Sequence, residues 1–176
     1  MKAPTSARHV WTYRALFLVL CLMILSFKML PLGLDDYGLP GPDLLLALTL
    51  AWLLRQPAVV PIGAIVVVFL LADFLLQRPP GLWTLLVILA SESLRRRRLA
   101  MTEFPFLVEW SAFAVAVFTM IILERVALWL LMLELPSLGL ALAHGIVTAA
   151  IYPLVVAASK FLFGLRKIGP AEAKAL

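Results

Sequence analysis

The sequence has little charge and a single cysteine. Charged residues make up 14% of its 176 positions, whereas soluble domains carry about 25%. Because Cys21 is the only cysteine, an intrachain disulfide is excluded. The motifs G-x-S-x-G, H-E-x-x-H and C-x-x-C and a glycine-rich phosphate loop are also missing. These absences argue against the common hydrolase, metalloprotease, redox and nucleotide-binding classes, and we expect no enzymatic activity, no cofactor and no metal.

Apolar residues fill most of the chain. They make up 64% of the sequence, with a mean hydropathy of +1.05, whereas soluble domains are about half apolar. Most of the chain falls into runs that approach the roughly 20 residues needed to cross a hydrocarbon core. The sequence therefore predicts one all-α membrane domain over residues 1–176, a six-transmembrane-helix bundle with spans near 13–30, 43–54, 59–77, 82–94, 106–126 and 138–163.

The basic residues lie in the gaps between these runs and predict an orientation. With the N-terminus in the cytoplasm, the outer side receives only three of the 15 basic residues, Lys28, Arg78 and Arg125, and the inner side receives the other twelve. This asymmetry is the positive-inside pattern, and it requires an even number of spans. We therefore expect both termini in the cytoplasm, a retained first helix and no binding of nucleic acid in spite of the net charge of +5.

Asp73 is a carboxylate inside an aliphatic run, about one turn before the predicted outer end of the third span. A charge within lipid is energetically costly, so it faces a bundle interior or finds a partner. Two interpretations stay open. Asp73 either organises partner binding while paired with Lys28, Arg78 or Arg125, or it forms a static ion pair or reaches interfacial water. Asp43 follows a proline at a helix start, and we expect it to cap that helix.

Three further segments have a predicted role. Glu92 precedes Arg95 and Arg96 by three and four residues, which predicts a local ion pair beside an arginine run that orients the helix and contacts anionic lipid or a cytoplasmic partner. His144 lies on a small, mildly polar helix face that is typical of close helix packing. Metal binding by His144 is disfavoured because no second ligand stands at a suitable spacing. Residues 127–135 either prolong the fifth helix or lie along the outer interface.

The order of several short motifs resembles the rod shape-determining MreD family of bacteria. The matching features are Pro42-Asp43-Leu44 running to Arg55 and Pro57, then Gly63, Asp73 and Gly81, then Tyr152-Pro153 and a basic tail with Arg166 and Lys167. The resemblance implies a multi-pass subunit of the bacterial inner membrane that binds the bitopic protein MreC. Through MreC it would join the MreB filament, the RodA glycosyltransferase and a class B penicillin-binding transpeptidase in lateral peptidoglycan synthesis.

The resemblance also implies a fold similar to the small-molecule-binding membrane subunits of energy-coupling-factor transporters. Two functions therefore follow, a non-catalytic scaffold for partner helices or a binding subunit of a transporter. A transporter subunit needs a cavity with several convergent polar groups, and the connections in this sequence are short with few donors. The scaffold is the favoured function, with Lys28, Asp43, Asp73, Arg78, Arg125 and His144 as the candidate polar layer for structure or partner binding.

Overall fold

The computed structural model describes residues 7–30, 41–102 and 105–163, and the side chains of 10–30, 41–97 and 105–163. These residues form six helices and no strand: α1 Ala7–Met29, α2 Leu44–Arg55, α3 Ile62–Leu75, α4 Leu82–Thr102, α5 Phe106–Leu130 and α6 Leu138–Phe163. The all-α prediction is confirmed. The predicted connection at 32–39 and the basic residues Lys2, Arg166, Lys167 and Lys174 lie outside the described residues, as do the side chains of Arg8 and Arg98.

Three helices are long and apolar enough to cross a membrane. They are α1, over Val10–Met29, α5 and α6. Helices α2 and α3 are apolar but shorter, with 12 and 14 residues, so α2 rises only about 18 Å along its axis. The length and the composition of these helices are those of a membrane protein.

Helix α4 differs from its predicted length. It begins at Leu82 as expected but continues to Thr102 rather than ending at Leu94, so the arginine run belongs to a helix and not to a loop. Arginine is a good helix former. Glu92 supports the same turn, because its carboxylate lies 3.9 Å from Nε of Arg95 and 3.2 Å from Nε of Arg96. The predicted local ion pair is therefore present.

The fifth helix continues past its predicted end and stops within residues 127–135. Helix α5 extends to Leu130, and its C-cap is followed by Met132 with φ 54°. The N–H groups of Met132 and Leu133 donate to the carbonyls of Trp129 and Leu128, which is the Schellman pattern of helix termination. The residues from Leu131 to Leu140 are all exposed.

Helix α2 lies at the centre of the bundle. Every residue from Leu45 to Arg55 is buried, and the helix packs against α1, α4 and α6. Trp52 is fully buried, with its ring centroid 5.8 Å from that of Phe17 and 5.6 Å from that of Phe163. The outer surface is apolar instead, with Val67, Val115 and Leu154 each at least 64% exposed. This distribution is the one expected of a bundle surrounded by lipid, in which a short helix is kept inside.

Successive helices run in opposite directions. Lys28 near the end of α1 contacts Asp43 at the start of α2, and Asp73 near the end of α3 contacts the start of α4. At the other side of the bundle, Tyr13 in α1 donates to the carbonyl of Phe163 at the end of α6. The bundle therefore has two polar layers, which we call the outer layer, at the end of α1, and the inner layer, at its start.

Candidate functional site

The outer layer is organised around Asp43. Its Oδ1 accepts a hydrogen bond from the backbone N–H of Leu46 at 3.3 Å, which is the cap of α2 predicted from the sequence. The same oxygen lies 3.2 Å from Nζ of Lys28 in α1. The backbone N–H of Asp43 donates to Oγ1 of Thr148 in α6 at 3.0 Å. One buried residue thus joins three helices.

His144 strengthens the attachment of α2 to α6. Its Nδ1 lies 2.9 Å from the carbonyl oxygen of Gly41, so Nδ1 carries the proton and donates it. The next residue of α6, Gly145, is buried, and a Cβ atom built there would lie 2.8 Å from Cδ1 of Ile121 in α5. The small face of α6 is therefore used for close packing, as predicted. Among the described residues no group of three or more His, Cys, Asp or Glu side chains could hold a metal.

Asp73 binds the start of α4 rather than a cation. Its Oδ2 accepts hydrogen bonds from the backbone N–H of Gly81 at 3.0 Å, from the N–H of Thr84 at 3.2 Å and from Oγ1 of Thr84 at 2.8 Å. The first N–H groups of a helix have no partner within that helix. Asp73 supplies the missing acceptor from the neighbouring helix, and the positive end of the α4 dipole stabilises its charge.

The predicted ion pair of Asp73 is therefore wrong for the part of the chain that the structure describes. Lys28 pairs with Asp43. Arg78 places its guanidinium 5.2 Å from the ring centroid of Trp83, and Arg125 donates from Nη1 to the carbonyl of Pro136 at 2.8 Å. The second oxygen of Asp73, Oδ1, has no hydrogen-bond partner among the described residues. Hydrogen bonds to the helix terminus take the place of the expected cation.

A tight corner makes this arrangement possible. Gln77 has φ 53°, and the N–H of Arg78 donates to the carbonyl of Asp73 at 3.0 Å, which closes α3 in a Schellman motif. Gly81 then has φ 86°, a conformation that residues with a Cβ rarely adopt. The chain consequently folds back within eight residues and returns the N–H of Gly81 to Asp73. This backbone requirement explains the glycine at position 81, which is one of the residues that carry the family resemblance.

The charges of the outer layer act on one another. Glu124, half-buried in α5, lies within electrostatic reach of Arg78, Asp43 and Asp73 as well as of its neighbour Arg125. Asp43 in turn lies within electrostatic reach of Lys28, Arg78 and His144. The structure thus brings the sequence-predicted site residues to one end of the bundle, and it adds Thr84, Glu124 and Thr148 to them.

The inner layer contains an ion pair that the sequence did not place among the site residues. Nη2 of Arg55, the last residue of α2, lies 3.2 Å from Oε1 of Glu109 in the first turn of α5. Tyr152 in α6 donates from its hydroxyl to the same oxygen at 3.0 Å. All three residues are at least 94% buried. The available signal was the position of Arg55 and Glu109 at helix ends on the same predicted side of the membrane.

Two indole groups complete the inner connections. Pro153 lies within α6 and has no N–H, so the carbonyl of Ala149 lacks its helical donor. Trp110 in α5 donates to that carbonyl at 2.8 Å. Trp52 in α2 donates to Oγ of Ser159 in α6 at 3.0 Å. A side chain of α5 therefore supplies the hydrogen bond that Pro153 cannot donate within α6.

The chain matches no family model, no curated protein and no solved structure.

Proposed function

We propose that the chain is a non-catalytic, six-span subunit of the bacterial inner membrane that binds a bitopic partner of the MreC type. In this function it organises lateral peptidoglycan synthesis together with MreB, RodA and a class B penicillin-binding transpeptidase, as the resemblance to the MreD family implies. Both termini and the arginine run face the cytoplasm. The proposed architecture is similar to the binding subunits of energy-coupling-factor transporters.

One observation carries the proposal. Five of the residues on which the resemblance rests tie the helices together: Asp43 to α1 and α6, Arg55 and Tyr152 to Glu109, and Asp73 to Gly81. Residues that build a rigid bundle fit a scaffold, since a docking surface for a partner helix needs fixed helix positions. A catalytic or substrate site would instead leave polar groups directed at open space.

The alternating helices support the six-span topology. The outer layer joins the ends of α1 and α3 to the starts of α2 and α4, and Arg125 joins α5 to the connection before α6. The inner layer joins the end of α2 to the start of α5. Short helices such as α2 are accommodated because neighbouring helices surround them and the local bilayer can thin.

The alternative function is a small-molecule-binding subunit of a transporter. The observation that favours it is the cluster of charged and hydrogen-bonding groups in the outer layer, where an outward-facing ligand would enter. This alternative is weakened because Asp43, Asp73 and His144 each already make hydrogen bonds to other groups of the bundle. The scaffold is therefore the function that the geometry supports best.

Affinity purification in mild detergent tests the proposal. A tagged copy expressed in its native cells should co-purify an MreC-type protein, while an unrelated tagged six-span protein should not. Depletion should convert rod-shaped cells to swollen or round cells. Stoichiometric binding of a vitamin-like molecule, with normal cell shape after deletion, would establish the transporter function instead.

A further inference from the structure

A groove lies between α4 and α5 on the lipid-facing side of the bundle. Its volume is about 460 Å³, within the roughly 300–1,000 Å³ of small-molecule sites. Ala90, Ala112 and Ala116 are small residues along its lining, and Leu89 and Val115 are more than half exposed. Because the large side chains on its rim are exposed, the groove opens sideways into the surrounding medium and not into the bundle interior.

The polarity of the groove changes along its length. Arg97 lines one end, with Ser93 one turn away and Ser111 on α5, while Leu86 and Leu123 line the other end. The hydroxyls of Ser111 and Thr119 donate to backbone carbonyls of their own helix, at 3.0 and 2.7 Å. The groove therefore presents one cationic end and an apolar length.

Arg97 is an arginine of the run that lines the groove. Leu86, Ala90, Ser93 and Arg97 follow one another at intervals of three or four residues, so they share one face of α4. Glu92 on another face binds Arg96 and lies near Arg95. Arg97 makes no ion pair or hydrogen bond with the side chains and backbone that the structure describes. Its positive charge is left for an external anion.

The groove runs between the two polar layers. On α4 it extends from Leu86, two residues after Thr84 of the outer layer, to Arg97, a rise of about 17 Å. On α5 it ends at Leu123, next to Glu124 of the outer layer. A transmembrane helix of a partner would need no cationic end. An amphiphile with an anionic head and an acyl chain matches the polarity, with its head at Arg97.

We propose that this groove binds an anionic phospholipid of the cytoplasmic leaflet, with its phosphate at Arg97 and one acyl chain against Ala90, Ala112 and Ala116. The leaflet assignment rests on the proposed orientation of the arginine run, whereas the site itself does not depend on an MreC-type partner. The bound lipid covers apolar surface on α4 and α5 and holds the cytoplasmic end of α4 at the membrane surface.

Lipid retention measured by native mass spectrometry tests the site. The full chain is purified in mild detergent and mixed with dioleoyl-phosphatidylglycerol or dioleoyl-phosphatidylcholine. Wild type should retain one phosphatidylglycerol in preference to phosphatidylcholine. Arg97→Gln should lower phosphatidylglycerol retention about fivefold, the effect of one interfacial arginine. Arg96→Gln is the matched control, because it removes a charge from the same run outside the groove, and it should stay near wild type.

A second pair of variants tests the acyl chain. Ala116→Phe fills the groove and should lower retention of both lipids, whereas Leu154→Phe on the exposed face of α6 should not. Helix content by circular dichroism and a single peak in size exclusion establish that each variant is folded.

Four outcomes would overturn the proposal. Equal losses for Arg97→Gln and Arg96→Gln would mean diffuse attraction to the arginine run. Unchanged lipid retention in Ala116→Phe would mean that no chain enters the groove. Loss of a co-purifying protein from Ala116→Phe, with lipid retention intact, would assign the groove to a partner helix. Displacement of phosphatidylglycerol by equimolar undecaprenyl phosphate would assign it to an isoprenoid lipid. None of these outcomes bears on cell shape or topology, so the proposed function is tested separately.

Discussion

Thr84 donates to Asp73 twice, through its hydroxyl at 2.8 Å and through its backbone N–H at 3.2 Å. The two residues are eleven positions apart and belong to different helices, so the contact fixes the end of α3 against the start of α4. Both residues are at least 96% buried. Because water does not compete at such a site, these hydrogen bonds are worth more than exposed ones.

Replacement of Asp73 should expose this dependence. Asp73→Ala leaves the N–H groups of Gly81 and Thr84 without an acceptor, and we expect a loss of about 1–3 kcal/mol in stability. Asp73→Asn retains an acceptor oxygen and should lose less. Thermal unfolding in detergent and protein abundance in the membrane measure the effect.

The cations near Asp73 provide the control for that experiment. Because Arg78 and Arg125 bind elsewhere, Arg78→Gln and Arg125→Gln should not restore stability to Asp73→Ala. Lys28→Met should lower it further, since Lys28 pairs with Asp43. Recovered stability in any of these double variants would instead support the ion pair that the sequence had suggested for Asp73.

The sequence predicted the number of helices and the role of Asp43, because both depend on local signals. Six apolar runs give six helices, and a carboxylate after a proline gives a helix cap. The partner of Asp73 was missed because it depends on a corner in which Gln77 and Gly81 take positive φ. That corner returns the chain over eight residues, and no residue pattern marks a non-glycine residue in the left-handed region.

The inner ion pair was missed for another reason. Arg55 and Glu109 are separated by 54 positions, and their contact depends on which helices are neighbours. In a soluble protein the apolar stripe of each helix would indicate its buried face. In this chain α3 and α5 are apolar around most of their circumference because lipid covers the outer side. Which side chains meet inside the bundle is therefore not encoded in periodicity.

Gly145 should be the most size-sensitive position of α6. A Cβ atom there would lie 2.8 Å from Cδ1 of Ile121 and 3.0 Å from Cε1 of Phe118. Gly145→Ala should be mildly destabilising, since those side-chain ends can shift, while Gly145→Val should separate α5 from α6 and lower the melting temperature clearly. Ile121→Ala should partly restore Gly145→Val. Gly63→Ala in α3 is the control, because nothing lies within 4 Å of its Cβ position; an equal loss there would contradict the packing argument.

The proposed orientation predicts which positions react with an impermeant thiol reagent in intact cells. In a Cys21→Ala background, Pro80→Cys and Glu134→Cys should be labelled, because both residues are exposed on the side of the outer layer. Ala58→Cys and Arg96→Cys, exposed on the opposite side, should be labelled only after the cells are opened. Labelling of Arg96→Cys in intact cells would reverse or reject the six-span topology.

Arg55 and Glu109 should behave as a coupled pair. Both are buried, so breaking the pair leaves a charge in a desolvated site, a loss of about 3–5 kcal/mol for a buried pair. Arg55→Met and Glu109→Gln should therefore each reduce the thermal stability and the membrane abundance strongly. The double variant Arg55→Met/Glu109→Gln should lose less stability than the sum of the two single losses, because neither charge remains.

Tyr152→Phe removes only one hydrogen bond to Glu109 and should lose about 1 kcal/mol. Glu92→Gln is the matched control, since that carboxylate pairs with the exposed Arg96, and an exposed ion pair contributes at most about 1 kcal/mol. Additive losses in the double variant would show that Arg55 and Glu109 act independently and that the inner layer does not hold α2 to α5.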